Sequence, residues 1–447
     1  MQNLIPMVPV DATQANPAIR LAKGRHQLWR RIMAGALTLL FLLAPWLQLN
    51  GAPLLWMDLP NRELHLLGLT LWPDDLMILI WVALASALGL FTVAAFSGRL
   101  WCGFACPQTI WSMMFTWVEE KTQGSRNLRL KDLSRPVWQR RLLPLILKHI
   151  VWWLIALITA FTFVAFFETG EALSRAVLNF KLNAEQGFWL GFFSILTYLN
   201  AGWLREQVCL HMCPYARFQS VMMDKKSLRV QYQSERGESR KEDGDCVDCQ
   251  LCVQVCPVGI DIRDGLQYAC IDCGACIDAC DDIMEKVGQP TGLIRFSYPS
   301  FLPGNLTILL KNRGKLWAYG ACTLLSLAAL LLQLNYLEKL DVHLSRDRGQ
   351  LFHYNSQGQI TNGYTIKVHN KSQQAKVYTI KPITLGLSLN KALLVELAAG
   401  DKRTVAFEAQ CLQPCSLAGA AVIDVQVISK DSADEVVLTS RFFAPRS

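Results

Sequence analysis

Five stretches of the chain are apolar almost without interruption over about the 20 residues that a helix needs to cross a bilayer. They are residues 33–49, 76–96, 150–167, 187–204 and 316–337. The pattern predicts a bundle of about five transmembrane helices, with Pro45 as a kink point in the first and Asn200 making the fourth the weakest candidate for a span. Residues 233–295, between the fourth and fifth spans, break the apolar pattern and are rich in Cys and charge. From residue 338 the apolar positions alternate with polar ones. Strands are predicted at 364–368, 377–380, 404–407, 421–428 and 436–443, with turns at Thr361-Asn362-Gly363, Asn390, Gly400 and Asp431. About 110 residues of short strands suit an all-β, Ig-like sandwich. The expected layout is an N-terminal segment (1–32), a membrane domain with four spans (33–232), an inserted α+β domain (233–295), a linker and fifth span (296–337), and the sandwich (338–447). Residues 233–245, charged and poor in apolar side chains, are expected to be a mobile lead-in to the insert.

Composition agrees. With 447 residues, 52% of them hydrophobic, and a mean hydropathy of +0.23, the chain is too apolar for an ordinary soluble protein and too long for one domain. The net charge of +8 does not call for nucleic acid, because Lys and Arg gather beside alternate spans. They crowd before the first span (Arg20 to Arg31), between the second and third, and after the fourth, while Arg62 stands alone between the first and second. This alternation puts the N-terminus and the inserted domain on the cytoplasmic side and the sandwich on the opposite side. Residues 1–10 are too short and too poor in charge for a cleavable signal, so the first span is expected to be retained.

Eight cysteines change the picture most. Cys246, Cys249, Cys252 and Cys256 form a C-x2-C-x2-C-x3-C run, and Cys270, Cys273, Cys276 and Cys280 repeat it with a shift of 24 residues. This frame holds two [4Fe-4S] cubanes: three thiolates wrap one cluster and the fourth reaches the other. The expected sets are Cys246, Cys249, Cys252 and Cys280, and Cys270, Cys273, Cys276 and Cys256. Zinc sites use separated ligand pairs, and disulfide frameworks suit small secreted domains. Pro257 follows Cys256 as in the bacterial ferredoxin run, whereas Asp281 follows Cys280.

A second pattern lies at the membrane edge. The second span leads into Cys102-Gly103-Phe104-Ala105-Cys106-Pro107, and the fourth into Cys209-Leu210-His211-Met212-Cys213-Pro214. Both read C-x3-C-P, so the first four spans look like two copies of one hairpin. If each helix continues through its motif, the two cysteines share a face. Four convergent thiolates are a soft site suited to Cu(I) or to further iron–sulfur chemistry. His211 either joins such a site or only orients it. Met113, Met114, Met222 and Met223 read as packing residues. Cys322, alone in the fifth span, reads as a small buried hydrophobe. His149, at the start of the third span, reads as an interface residue with a candidate role toward a quinone or a metal. Cys411 and Cys415 form either a disulfide or a metal-handling pair, and Asn370-Lys371-Ser372 matches a glycosylation acceptor.

The order of parts resembles the FixG/CcoG/RdxA family of bacterial cytochrome c oxidase accessory proteins, from Arg20 onward. The resemblance rests on the spans, both C-x3-C-P motifs, the double cluster insert and the terminal sandwich. It implies a place in the bacterial inner membrane, a role in assembling cbb3-type oxidase, and cupric reductase activity at Cys102, Cys106, Cys209 and Cys213. The implied partners are a copper chaperone or transporter and oxidase subunits, together with a cytoplasmic electron donor. The spacing leaves open whether the four thiols meet in one chain or across a homodimer. Two other readings fit the same sequence: a membrane ferredoxin exchanging electrons with quinone, and a non-enzymatic scaffold that senses redox state.

Overall fold

The computed structural model describes residues 18–445, apart from 50–51, 61, 68, 224–226, 238–243, 266, 298–313, 336–339, 348, 356, 373, 390–392, 399, 413–418 and 431–434. It divides into two units, residues 1–331 and 332–447.

In the first unit, α1 (Arg25–Leu43), α2 (Leu76–Ser97), α3 (Leu100–Phe104), α4 (Pro107–Gln123), α5 (Leu142–Val164), α6 (Ala184–Thr197), α7 (Pro214–Met222), α8 (Ala275–Lys286) and α9 (Gly314–Asn335) are the helices that position the site. Among the described residues, α2, α5 and α9 are long and apolar enough to cross a membrane. Their mid-helix Leu, Ile and Phe side chains face outward, which suits lipid rather than water.

Two predicted spans differ. The apolar run 33–49 does not stay helical: α1 starts at Arg25 and stops at Leu43, and residues 48–49 are extended. Pro45 offers no N–H to the ladder, and α1 closes in a turn in which the Trp46 and Leu47 N–H groups both donate to Leu43 O, so the proline ends the helix rather than kinking it. Residues 187–204 begin as α6 but pass into a π-helix at Tyr198–Leu204. The freed carbonyl of Asn200 accepts from the Gln108 side chain at 3.2 Å and from the Arg205 N–H at 2.8 Å. Cys322 lies on the exposed surface of α9 and not in a core, since that helix is almost unburied within the chain.

The cluster insert is a small α+β fold. Strand β1 (Arg229–Tyr232) pairs antiparallel with β2 (Ile294–Ser297), and α8 packs beneath them. The lead-in is ordered at both ends: residues 234–237 form a helical turn, and Arg236 pairs with Asp245 at 2.9 Å and donates to Pro290 O at 2.8 Å. Residues 238–243 of that expected lead-in lie outside the described residues.

The second unit is a sandwich of β3 (Leu340–Arg346), β4 (Ile360–Asn370), β5 (Lys376–Pro382), β6 (Leu387–Leu389), β7 (Leu393–Leu397), β8 (Lys402–Cys411), β9 (Ala420–Ser429) and β10 (Glu435–Phe443). One sheet runs β6-β8-β4-β3 and the other β7-β5-β9-β10, all antiparallel, around Tyr364, Ile366, Tyr378, Val427 and Phe442. Thr361-Asn362-Gly363 is not a turn. It lies inside β4, where Gly363 sits opposite Glu408 and the Asn362 amide exchanges hydrogen bonds with the Phe443 backbone. Gly400 does turn, in the left-handed region at φ +71, while Asn390 and Asp431 lie outside the described residues.

The glycosylation reading fails at Asn370. This side chain is fully buried; it donates to Gln374 O at 2.8 Å and Ala398 O at 3.0 Å, and accepts from Tyr378 Oη at 2.9 Å. Asn370→Ala would leave those buried groups unpaired and cost roughly 1–3 kcal/mol, read as an earlier unfolding midpoint. An unshifted midpoint would mean that water reaches them. Cys411 is disulfide-bonded and fully buried, and Cys415 lies outside the described residues.

Candidate functional site

The 24-residue repeat is visible in the backbone. Asp248 and Asp272 both take the left-handed conformation at φ 50, and Gln250 and Gly274 do so two residues later at φ 53 and φ 70. Each C-x2-C loop thus winds around a hollow with the same pair of unusual residues. Gly274 also meets His26: a Cβ there would fall 2.9 Å from the His26 Cβ.

The two hollows hold the expected cysteine sets. One is lined by Cys246, Cys249, Cys252 and Cys280, and the other by Cys256, Cys270, Cys273 and Cys276, with the Cys252 wall between them. Each encloses about 370 Å³. Among the described residues no three Cys, His, Asp or Glu stand close enough to share one metal ion. Thiols spread around a cavity fit the corners of a cubane and not a lone zinc. Burial pushes the Cys256 thiol up to about 12, helped by Cys273, and burial, Cys252 and Asp281 push Cys280 to about 12. Such crowded thiols become thiolates only against a strongly cationic partner, which an iron cluster is.

Around the second hollow the chain is tied at long range. Buried Asp272 accepts from the N–H groups of Arg99 and Val230, both at 3.0 Å. Asp278 on α8 accepts from the His26 and Gln27 N–H groups at 3.1 and 2.8 Å and from the His26 ring at 2.8 Å. The first turn of α1, whose donors have no helical partner, is thus capped by a carboxylate some 250 residues away.

At the membrane-edge motifs the helix does not continue, so the condition for a shared cysteine face is not met. Cys102 lies in α3, but Cys106 is extended (ψ 127) and precedes Pro107, the first residue of α4. Likewise Cys209 lies in a short π-helix, Val208–Met212, and Cys213 precedes Pro214, the first residue of α7. Each proline starts a helix, because its missing N–H is one of the donors that helix starts leave unpaired. The cysteines of a pair therefore flank a break and do not share a helix face.

Even so, the four thiols lie near enough in one chain to act on one another's charge, although no three of them stand close enough to share one ion. Cys102 is pushed up to about 12 by burial, with Cys106 and Cys213 adding to the rise and Arg99 opposing it. Cys209 is pushed to about 12 by burial, then by Cys106, Cys102, Glu206 and Cys213. Cys102 Sγ also lies 3.4 Å from the buried Gln219 Oε1, whose amide nitrogen donates to Gly98 O at 2.9 Å. His211 and Met212 are exposed, whereas Met223 is buried as packing.

This thiol cluster lies directly against the second hollow. Cys102 and Leu210 pack on the same apolar core as Ile271, Cys273, Cys256 and Cys270. A Cβ on Gly103 would fall 2.6 Å from Ile271 O, so only glycine admits the approach. The Gly103 carbonyl in turn accepts from Arg30 Nε at 2.9 Å. Arg99 donates to Tyr268 O, to Cys270 O at 3.3 Å and to Ala216 O at 3.1 Å, binding both motifs to the second cluster loop.

Arg99, Gln219, Asp272 and Asp278 are site residues that motif reading missed. A signal existed for two of them. Asp272 repeats Asp248 at the 24-residue shift, and Arg99 precedes Cys102 by the same three residues that separate Glu206 from Cys209.

Comparison with known proteins agrees with this assembly. A family described as a 4Fe-4S dicluster domain matches residues 204–244 and 238–299, and one described as a 4Fe-4S binding domain matches residues 79–125. The IG-like fold at the C-terminus of FixG matches residues 330–445. Protein RdxA of Cereibacter sphaeroides is 34% identical over 84% of this chain and 82% of its own length. Protein RdxB of the same organism is 33% identical over 82% of each chain. Nitrogen fixation protein FixG of Rhizobium meliloti is 30% identical over 86% of this chain and 82% of its own. With two cubane hollows, apolar membrane helices and the terminal Ig-like sandwich all in place, this chain belongs to the FixG/RdxA family of iron–sulfur proteins.

Proposed function

We propose that this protein is a membrane-bound electron carrier that reduces Cu(II) to Cu(I) at Cys102, Cys106, Cys209 and Cys213, for delivery during assembly of a cbb3-type oxidase. The observation that carries the reading is the shared apolar core of Cys102 with Cys256, Cys270 and Cys273. When bound, the two clusters supply one-electron carriers suited to one-electron reduction of copper.

The chain's own residues do the rest. Buried thiols offer soft ligands that favour Cu(I) over Cu(II), so ligation itself drives the reduction. Arg99 and Gly103 hold the thiol cluster against the second hollow, and the packed core between them excludes water. Copper is the substrate: each ion takes one electron and leaves as Cu(I) for a chaperone, transporter or oxidase subunit. All four thiols come from one chain, and because no three of them stand close enough to share an ion in the metal-free structure, copper binding would draw them together. In this reading the cluster insert lies on the cytoplasmic side and the sandwich on the opposite side, in keeping with the Lys and Arg distribution.

Replacing the four cysteines with Ser should abolish Cu(II) reduction while leaving about eight irons per chain. Unchanged reduction with that iron retained would remove the thiol cluster as the copper site.

A further inference from the structure

One large cavity of the first unit belongs neither to the clusters nor to the four thiols. It encloses about 1560 Å³, counting its open mouth, between α4, α5, the Gly202–Gln207 segment and the cluster insert. Its rim is polar: Arg129, Arg141, Lys148 and Arg205 face it with Glu119 and Asp132, and His149 stands at its edge. The opposite wall is Pro257 and Val258, the two residues after the cluster ligand Cys256.

The cavity continues into an apolar groove. Leu145 and His149 line both, and Ile146, Ile150, Trp153 and Leu154 extend the groove along the outward face of α5. Ile146, Ile150 and Leu154 are each about half exposed within the chain, on a helix long and apolar enough to span a bilayer. A ligand with a polar head and an apolar tail could therefore slide in from lipid.

Its head would meet a prepared hydrogen-bonding group. His149 Nδ1 is 2.8 Å from Tyr198 Oη, and Tyr198 is stacked on Trp153 at 4.7 Å. The ring is thereby held with Nε2 as its remaining nitrogen, which has no protein partner among the described residues. Arg205 and Lys148 both reach Glu119, at 2.7 and 3.6 Å, so the cavity holds cationic hydrogen-bond donors anchored on one carboxylate.

We infer that this cavity binds the ring of an isoprenoid quinol drawn from the membrane, the two-electron donor to the clusters. Oxidation breaks the two O–H bonds of the quinol and releases two electrons and two protons. One electron goes to each of the two [4Fe-4S] clusters, one proton to His149 Nε2 and the other to water at the open mouth. The wall behind Cys256 is the route by which the electrons leave. The inference rests on the electron-carrier part of the reading above and not on copper.

The test uses the full-length, iron-loaded protein in nanodiscs without oxygen. An azido-quinone with a short alkyl tail is photolysed, and the labelled peptides are mapped by mass spectrometry. Label should fall on residues 145–154 and 203–207 and be competed by decylubiquinol. His149→Ala should weaken competition about tenfold, the worth of one buried hydrogen bond, with iron content unchanged. Leu145→Trp, which fills the groove and spares the polar rim, should block labelling with iron retained. Label elsewhere, or label in the cavity displaced by phosphatidylglycerol but not by decylubiquinol, overturns the inference. Copper reduction driven by dithionite is measured separately: if it survives while labelling fails, the quinol site is wrong and the copper reading stands.

Discussion

Cys256→Ser will remove one cubane and leave the other, and the one removed will be held by cysteines downstream of it. Iron should fall from about eight to about four per chain. The geometry argues this against sequence proximity, since Cys256 lies four residues from Cys252 and fourteen from Cys270. In the structure its thiol lines the hollow of Cys270, Cys273 and Cys276, because Pro257 carries the chain away from the first hollow. Cys280 makes the reciprocal crossing: it lies one helical turn beyond Cys276 on α8, yet lines the hollow of Cys246 and Cys249. One helix thus serves both cavities. The residual cluster should therefore have the same EPR spectrum in Cys256→Ser and Cys276→Ser, and a different one in Cys252→Ser. Matching spectra for Cys256→Ser and Cys252→Ser would show that the first run closes on itself and would sink the crossed assignment.

That crossing was legible in the sequence because spacing alone decides which thiols can wrap a cube. The alternation made the strands around 364–368, 377–380, 404–407, 421–428 and 436–443 legible, whereas Leu340–Arg346, Leu387–Leu389 and Leu393–Leu397 were missed. Asn362-Gly363 has turn chemistry, but tertiary partners on the Phe443 backbone override it. The C-x3-C-P motifs left the local path open. A helix continuing through Cys102 and Cys106 would have put both on one face, whereas Pro107 opens a new helix; a proline marks a boundary without saying on which side the helix lies. The convergence of the four thiols came from a repeat seen in sequence. Its anchoring by Arg99, Gln219 and Asp272 did not, because contacts more than a hundred residues apart leave no local trace.

Glu119→Gln should be the most destabilising single change outside the cluster ligands, by about 3–5 kcal/mol if it behaves as the loss of one partner of a buried ion pair. Glu119 on α4 is nearly inaccessible and takes three cations: Arg205 at 2.7 Å, Arg129 at 3.3 Å and Lys148 at 3.6 Å. Lys148 and Arg205 also lie over the ring of Trp152, at 4.4 and 5.6 Å, and Trp152 is itself buried and donates to Phe115 O. Glutamine keeps the shape and a hydrogen-bond acceptor but removes the negative charge, so the three cations would repel one another around a side chain that no longer balances any of them. Arg205 is the member least able to move without consequence. It holds a left-handed backbone at φ 44, which costs a non-glycine residue about 1–2 kcal/mol, and it ends the π-helix four residues before Cys209. Freed from Glu119, it can relax that backbone and draw Cys209 away from Cys102 and Cys106. The variant should therefore unfold at a markedly lower midpoint in detergent and lose the copper binding proposed for the four thiols before it loses iron, while Glu119→Asp recovers part of both. A midpoint within experimental error of the parent would mean that the cation cluster is solvated, and that Arg205 is held in place by its Gly202 and Asn200 hydrogen bonds alone.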